Sequence, residues 1–316
     1  MVQKEPSVTP PDHGAGWGGS ADENGWGDTL FPGGTELLRS LPAVRRARNF
    51  RLYTADGRRL TDLWQYGGRA VLGHTPPGIL RELKNAASRG LFVPFPGCYE
   101  GRFIKSLSRL FPGRAIRLYA GGASLRRALA LAGYDAAVPF PDPAFPGSRF
   151  ASSLSGKPSP LLWRPFLEAG PGGVSGPDEA VRVLVPVLPL PLAGAPLVLV
   201  LDKALEAAFP VSGQDSLSPL VLAAAARSVW DLIAALPERD AGAFPRIRKA
   251  LGRSPWRRRG VYLTLAAGFQ ENAYASLFRR FLAKGFLLPP SPCCPLILPG
   301  EMSPGEEAAL AGCLSK

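Results

Sequence analysis

The chain has 316 residues, 46% of them hydrophobic and 20% charged. That is enough for one large domain or two modest ones and places most of the chain in a globular fold. A formal charge of +12, carried by 29 Arg and 8 Lys, raises the question of an anionic partner. The four cysteines (Cys98, Cys293, Cys294 and Cys313) show no metal-ligand spacing and fit packed thiols in a reducing cytoplasm.

In chain order, residues 1–28 are rich in Gly, Ser, Asp and Pro and read as a flexible tail; the opening "MVQKEPSVTPPDHG" is polar and carries no secretion-signal pattern. "LFPGGTELLRSLP" starts a short helix after a Pro-Gly-Gly turn. "FRLYTADGRRLTDLW" alternates around Asp56-Gly57 and predicts a β-hairpin. "PPGILRELKNAASRG" predicts a helix opened by Pro and closed by Gly90. "YEGRFIKSLSRLFPG" predicts a second helix, "AIRLYAGG" a strand, and "ASLRRALALAG" the helix after it. Residues 134–180 have little pattern.

Val183–Leu201 is an uncharged run of 19 residues, near membrane-spanning length. Pro186, Pro189, Pro191 and Pro196 would break a helix there, so the run predicts two buried strands, near 181–188 and 196–201, joined by a Pro-rich turn. A long apolar helix over "LSPLVLAAAARSVWDLIAAL", a strand over "GVYLTLAAG" and a helix over "ENAYASLFRRFLAKG" follow. The last helix is opened by Ser303 and Pro304, with Glu306 near its start. Strands alternating with helices argue for an α/β fold.

Three places could carry chemistry. The Gly121-Gly122 turn feeds a helix start, where unpaired N–H groups suit a phosphate; it also serves as a plain turn. Lys203 follows the strand "LVLVL" and is either a solvated helix-start residue or an amine for a Schiff base, which requires a lowered pKa. Its neighbour Asp202 could cap "KALEAA". His74 in "LGHTPP" reads as a turn histidine. The densest basic stretch, "RIRKALGRSPWRRRG" at 246–260, reads as a solvated helix end and loop or as a phosphate-binding patch.

"LFPGG", then "FRLYTADGRRLTDLWQYGGRAVLGHTPPGIL", and then "GLFVPFPGCYEGRFIKSLSRLFPGRAIRLYAGGASLRRALALA" resemble the class III aminotransferases. The likeness is to the glutamate-1-semialdehyde aminomutase and ornithine aminotransferase type, of pyridoxal-phosphate fold type I. It covers about residues 30–133 and 197–300, and "AKGFLLPPSP" looks like the family's final small-domain strand. It implies a large domain with a mostly parallel sheet (76–230), and a smaller α+β domain (231–316) with the segment 29–75 packed on it. It further implies pyridoxal 5'-phosphate as cofactor, transfer of an amino group on a small amino compound, and a homodimer or a pairing with a paralogous aminotransferase subunit. "DKALEAAFPVSG" is similar to the family's Gly-Lys-Ala-Leu-Gly-Gly-Gly-(Phe/Tyr)-Pro-(Val/Ile) stretch, which puts Lys203 on the Schiff-base position. Gly121, Gly122 and Ser124 then stand at the phosphate loop, and Ser216 matches a Thr that contacts the phosphate across the dimer interface. A rival alignment makes Asp202 the partner of the pyridinium nitrogen.

The chain departs from the pattern in several places. Gly122 and Ala123 replace the hydroxyl residue and glutamate of the phosphate loop, and Glu206, Ala207 and Ala208 replace the three glycines. The aromatic-His-Gly segment and the Asp-Glu-Val strand end have no counterpart. Pyridoxal phosphate works as an electron sink whose ring nitrogen a carboxylate keeps protonated. Three readings follow: an aminotransferase-like enzyme, a catalytically silent relative that acts as a binding or dimerisation partner, and a basic nucleic-acid-binding module.

Overall fold

The computed structural model describes residues 35–137, 139–145, 156–167, 181–237, 244–252, 254–266 and 271–315. The expected tail at 1–28 lies outside them, as does most of 146–180. The first helix, α1 (Thr35–Leu38), leads into β1 (Val44–Arg48), β2 (Arg51–Thr54) and β3 (Arg59–Asp62), all antiparallel neighbours. The expected hairpin is β2–β3, where Gly57 takes φ +83°, a left-handed conformation that suits glycine. At the outer edge β1 reads Val-Arg-Arg-Ala-Arg; Arg45, Arg46 and Arg48 are all exposed, and Arg46 lies over the Tyr53 ring.

Two amphipathic helices follow, α2 (Pro77–Ala87) and α3 (Cys98–Leu110). Next come β4 (Ala115–Tyr119), α4 (Gly122–Leu131), β5 (Leu161–Trp163), β6 (Val183–Pro186), β7 (Leu197–Leu201) and the long α5 (Pro219–Ala235). The four strands form one sheet in the order β4-β7-β6-β5. β5 and β6 are parallel, whereas β7 runs antiparallel to both β6 and β4. β4, β5 and β6 therefore share one direction and β7 opposes them, so only one neighbouring pair in this mixed sheet is parallel. The cause is loop length. Ten residues join β6 to β7, fewer than a parallel crossover needs.

Helices cover both faces of this sheet. Ile116, Leu118, Val198 and Val200 face the core shared with Phe103, Leu107, Leu222 and Val229. Tyr119, Leu197, Leu199 and Leu201 face Leu125 and Leu129 of α4. Each of these buried side chains contributes about 1.5–3 kcal/mol of transfer free energy. Both central strands, β7 and β6, are buried along their whole length, which explains their unbroken apolar sequences.

The rest of the chain is α6 (Pro245–Leu251), β8 (Trp256–Arg259), β9 (Tyr262–Leu265), α7 (Glu271–Ala283), β10 (Phe286–Leu287), β11 (Leu296–Ile297) and α8 (Pro304–Leu314). β10 joins the first sheet beside β3, and β11-β9-β8 form a third sheet. A separate core unites Leu52, Leu60 and Leu63 with Tyr262, Phe278, Phe281 and Leu310. α8 opens with the expected Ser303 cap, completed as a capping box by Glu306. Among the described residues no helix is long and apolar enough to cross a membrane.

Candidate functional site

Antiparallel pairing fixes which sequence-predicted residues can meet. Ala115 pairs with Leu201, and Tyr119 with Leu197. Gly121 and Gly122 follow the Tyr119 end of the β4–β7 pair, while Asp202 and Lys203 follow the Leu201 end. Five-residue strands separate the two ends by about 13 Å. Lys203 is thus not beside the glycine turn, where the resemblance would bring it.

Lys203 is also exposed, so the partly buried pocket that a Schiff-base amine calls for is not found there. It opens a 3-10 helix, Lys203–Ala208, whose start Asp202 caps by accepting a 2.8 Å hydrogen bond from the Ala204 N–H. Asp202 therefore acts as the cap that its position allowed. Glu206 sits at one of the expected glycine positions and pairs with Arg117, a buried strand arginine that also donates to the Glu206 and Phe209 carbonyls. Side chains and a pinned backbone occupy this segment, so it is no open cradle for a ligand.

At the other end, Gly121 is an extended N-cap that supplies no side-chain hydrogen bond to α4. The first N–H groups of this helix remain available to an anion. Ser124 lines a cleft of about 360 Å³ with Tyr119, Arg127, Phe209, Ser212 and Asp215. Burial pushes the Tyr119 phenol up to about 12, so it stays protonated. The Asp215 carboxylate accepts a 2.8 Å hydrogen bond from the Ala120 N–H and would oppose a phosphate dianion at that turn. Ser216, one residue on, is exposed and lines a different notch, beside Phe95 and Leu217.

In open α/β sheets, ligands bind outside the carboxyl ends of the strands. β4, β5 and β6 all end on the same side; β4 ends beside the cleft at Ser124, whereas the ends of β5 and β6 are closed by the protein's own side chains. Just beyond β5, Arg164 grips Asp142 through Nε, at 2.9 Å to each carboxylate oxygen, and through Nη2, at 2.6 Å to Oδ2. Arg164 also donates to the Gly67 carbonyl at 2.8 Å and stacks on the Tyr262 ring. Burial opposes the guanidinium charge, but the Asp142 carboxylate holds it well in place and raises its pKa. Over this pair lies Gly68, at φ +108°, where an added Cβ would come within 3.3 Å of Arg164 and 3.2 Å of Val187.

The remaining candidates have structural duties. His74 Nε2 is 2.7 Å from Asp62 Oδ2, and Asp62 also accepts from the Trp64 and Gln65 N–H groups. This is a tied turn, as its sequence suggested. In the basic stretch, Arg246, Arg258 and Arg259 donate to the carbonyls of Pro304, Gly260 and Pro143. Among the described residues no cluster of His, Cys, Asp and Glu could hold a metal ion.

These residues do not fit pyridoxal phosphate. Every described lysine (84, 105, 157, 203, 249 and 284) is exposed. The two buried carboxylates among the described residues, Asp62 and Asp142, are already committed to His74 and Arg164. Sequence reasoning missed Arg164 and Asp142, which lie in or beside a stretch with no periodicity. The Arg-Pro step after an apolar triplet was their only signal.

A scan against protein-family models gives no match. The chain is 31% identical over 199 residues to an uncharacterized protein of Treponema pallidum, covering 62% of this chain and 55% of that one. It is 33% identical over 91 residues to glutamate-1-semialdehyde 2,1-aminomutase of Sorangium cellulosum, covering 26% and 21%. The chain thus matches about half the length of the first relative and a fifth of the second. The ornithine δ-aminotransferase of Plasmodium falciparum has the same fold, with a TM-score of 0.62 at 14% identity over 89% of this chain and 95% of that one.

Proposed function

From the premise that the chain is a shortened, divergent relative of the class III aminotransferases, with their fold, we propose that it is catalytically silent and serves as an association partner for another protein subunit. One observation carries this reading: the Arg164–Asp142 pair closes the carboxyl ends of β5 and β6, while Lys203 stands exposed at the opposite end of the sheet. A Schiff-base amine needs desolvation or a flanking cation to be neutral near pH 7. A ring nitrogen needs a free carboxylate. Every described lysine is exposed, and the two buried carboxylates among the described residues are already engaged by His74 and Arg164. The four free thiols support the reading of a reducing compartment.

The test is the absorbance spectrum of the purified protein with pyridoxal phosphate, followed by borohydride reduction and peptide mass analysis. The expected result is the spectrum of free cofactor, with any fixed label spread over several exposed lysines. A stoichiometric visible band that Lys203→Ala removes and Lys84→Ala leaves intact would overturn the proposal. So would measurable amino-group exchange.

A further inference from the structure

The outer face of the first sheet gathers positive charge that the fold does not neutralise. Residues 45–59 hold six arginines against one carboxylate, Asp56. Strand register decides which of them share a face. Arg46 stands opposite Tyr53, and Tyr53 opposite Arg59; on the next row Arg48 stands opposite Arg51. Directly paired residues point the same way, and the alternate row, Ala47, Leu52 and Leu60, packs into the core. Arg46, Arg48, Arg51, Tyr53 and Arg59 therefore project together from the side turned away from that core.

The charges on this side are unequally spent. Arg51 is held by Glu301 and Glu306, and Arg58 by Asp56. Arg59 is 58% exposed and reaches Glu306 only at 3.6 Å. Arg45, Arg46 and Arg48 are exposed, and none has an ion-pair partner among the described residues. The Arg46 guanidinium lies 4.6 Å from the centre of the Tyr53 ring. Because Arg46 is itself exposed, this stack ends in solvent. The 246–260 stretch is different: three of its arginines are tied to backbone carbonyls.

We propose that this face binds single-stranded nucleic acid, a role separate from association with a protein subunit. A base stacks on the Arg46–Tyr53 platform, as unpaired bases do on guanidinium planes and aromatic rings. The flanking phosphates meet Arg48, two residues along the strand at about 7 Å, and Arg45 at the irregularity before Arg46. That separation is close to the step between successive phosphates of an extended strand. Arg51 between two carboxylates leaves negative charge on its side, which holds the ligand towards β1. An acidic peptide would pair with the arginines but leave the ring without a task. A duplex keeps its base faces stacked inside and offers the platform nothing.

Fluorescence anisotropy of the full chain with labelled oligouridylate and oligothymidylate of about twelve nucleotides tests it. Both should bind at low salt, because phosphate and base, and not the sugar hydroxyl, meet the face. The logarithm of the binding constant should fall against that of salt with a slope of about −2, as three phosphate contacts on a single strand require. Tyr53→Ala should weaken binding at least about fivefold, and Tyr53→Phe should stay within about twofold of wild type, since the ring does the stacking. Arg48→Ala should flatten the salt slope by about 0.7. Arg45 and Arg48 are exposed, so their alanine variants should keep the wild-type melting temperature and carry the test if Tyr53→Ala misfolds. Arg248→Ala with Arg257→Ala should leave binding intact. An unchanged anisotropy at low salt overturns the proposal. So does binding that survives Arg45→Ala with Arg48→Ala and is lost in the Arg248/Arg257 variant, which would move the contact to 246–260. A duplex bound more tightly than the single strand overturns it as well. Displacement of the probes by poly-glutamate, with Tyr53→Ala binding like wild type, would assign the face to acidic peptides instead. None of these outcomes depends on whether the chain takes up pyridoxal phosphate.

Discussion

Two arginine–carboxylate clusters in this molecule share a geometry and differ in surroundings. Arg51 holds Glu306 through two bonds of 2.9 and 2.8 Å, and so joins β2 to the first turn of α8. Arg164 holds Asp142 through contacts of the same kind at the end of the central sheet. The first pair touches water, with side-chain exposures of 18% and 10%; the second is all but sealed, at 1% and 9%. If one partner of the outer pair is lost, solvent can serve the other. If one partner of the inner pair is lost, the other keeps its charge where little water reaches. Energetic weight therefore follows the environment rather than the number of bonds.

Breaking the inner cluster should have the largest effect. Arg164→Met should cost about 3–5 kcal/mol in denaturant unfolding, because Asp142 loses the buried guanidinium that grips it. Arg164→Met combined with Asp142→Leu should recover most of that loss, since an apolar pair carries no stranded charge. A double variant no more stable than the single one would show that the pair holds Gly67 and Tyr262 in ways packing cannot replace.

Crowding the same cluster from above should come next. Gly68→Ala puts a Cβ against Arg164 and Val187 at a left-handed φ, and about 1–3 kcal/mol should be lost. A neutral result would mean that the 65–68 turn can relax away from the pair.

The outer cluster should respond less, and should respond to acid. The Arg51 hydrogen bonds, against some desolvation, and the Ser303 N–H hold the Glu306 carboxyl at about 2, below its ordinary 4.5. A carboxylate depressed in the folded state stabilises it above the unfolded pKa. That contribution is lost as pH falls from about 4.5 through about 2. Glu306→Gln should cost about 1 kcal/mol or less at neutral pH and flatten the stability curve in that window. An unchanged acid slope would remove Glu306 from the account.

The smallest effect on stability should come from thiol modification. Cys98 and Cys293 are exposed, whereas burial pushes the Cys294 thiol up to about 12. Iodoacetamide should label the first two in the folded protein and spare Cys294 until denaturant is added. Rapid labelling at Cys294 would mean that its surroundings, which include Arg164, open locally.

Much of the fold is legible along the chain. Asp56-Gly57 announces the β2–β3 hairpin, Pro77 and Gly90 bracket α2, and Ser303-Pro304 with Glu306 marks the start of α8. These signals are local, set by turn chemistry and caps. The direction of β7 is not local. "LVLVL" reads the same whichever way it runs, and the ten-residue link from β6 reveals its direction only when weighed against the length of a crossover. Lys203 was misplaced for that reason. Arg164 and Asp142 were missed for another: an ion pair joining two irregular segments leaves no periodicity. The Gly121-Gly122 turn and the helix after it were readable, because strand, glycines and amphipathic helix follow one another directly.

The outer strand β1 bears on how the protein behaves in concentrated solution. A strand with one unpaired edge is a template on which another chain can extend the sheet, and flat apolar edges invite this. Here Arg45, Arg46 and Arg48 load that edge with three positive charges over five residues. Two such edges repel before their backbones can align. The protection is purely coulombic, so it fades with ionic strength: the screening length falls from about 10 Å at 0.1 M salt to about 3 Å at 1 M. Colloidal stability should therefore be best in dilute buffer. Salting in, often the first remedy for a sluggish basic protein, would here take down the barrier that keeps its sheets apart.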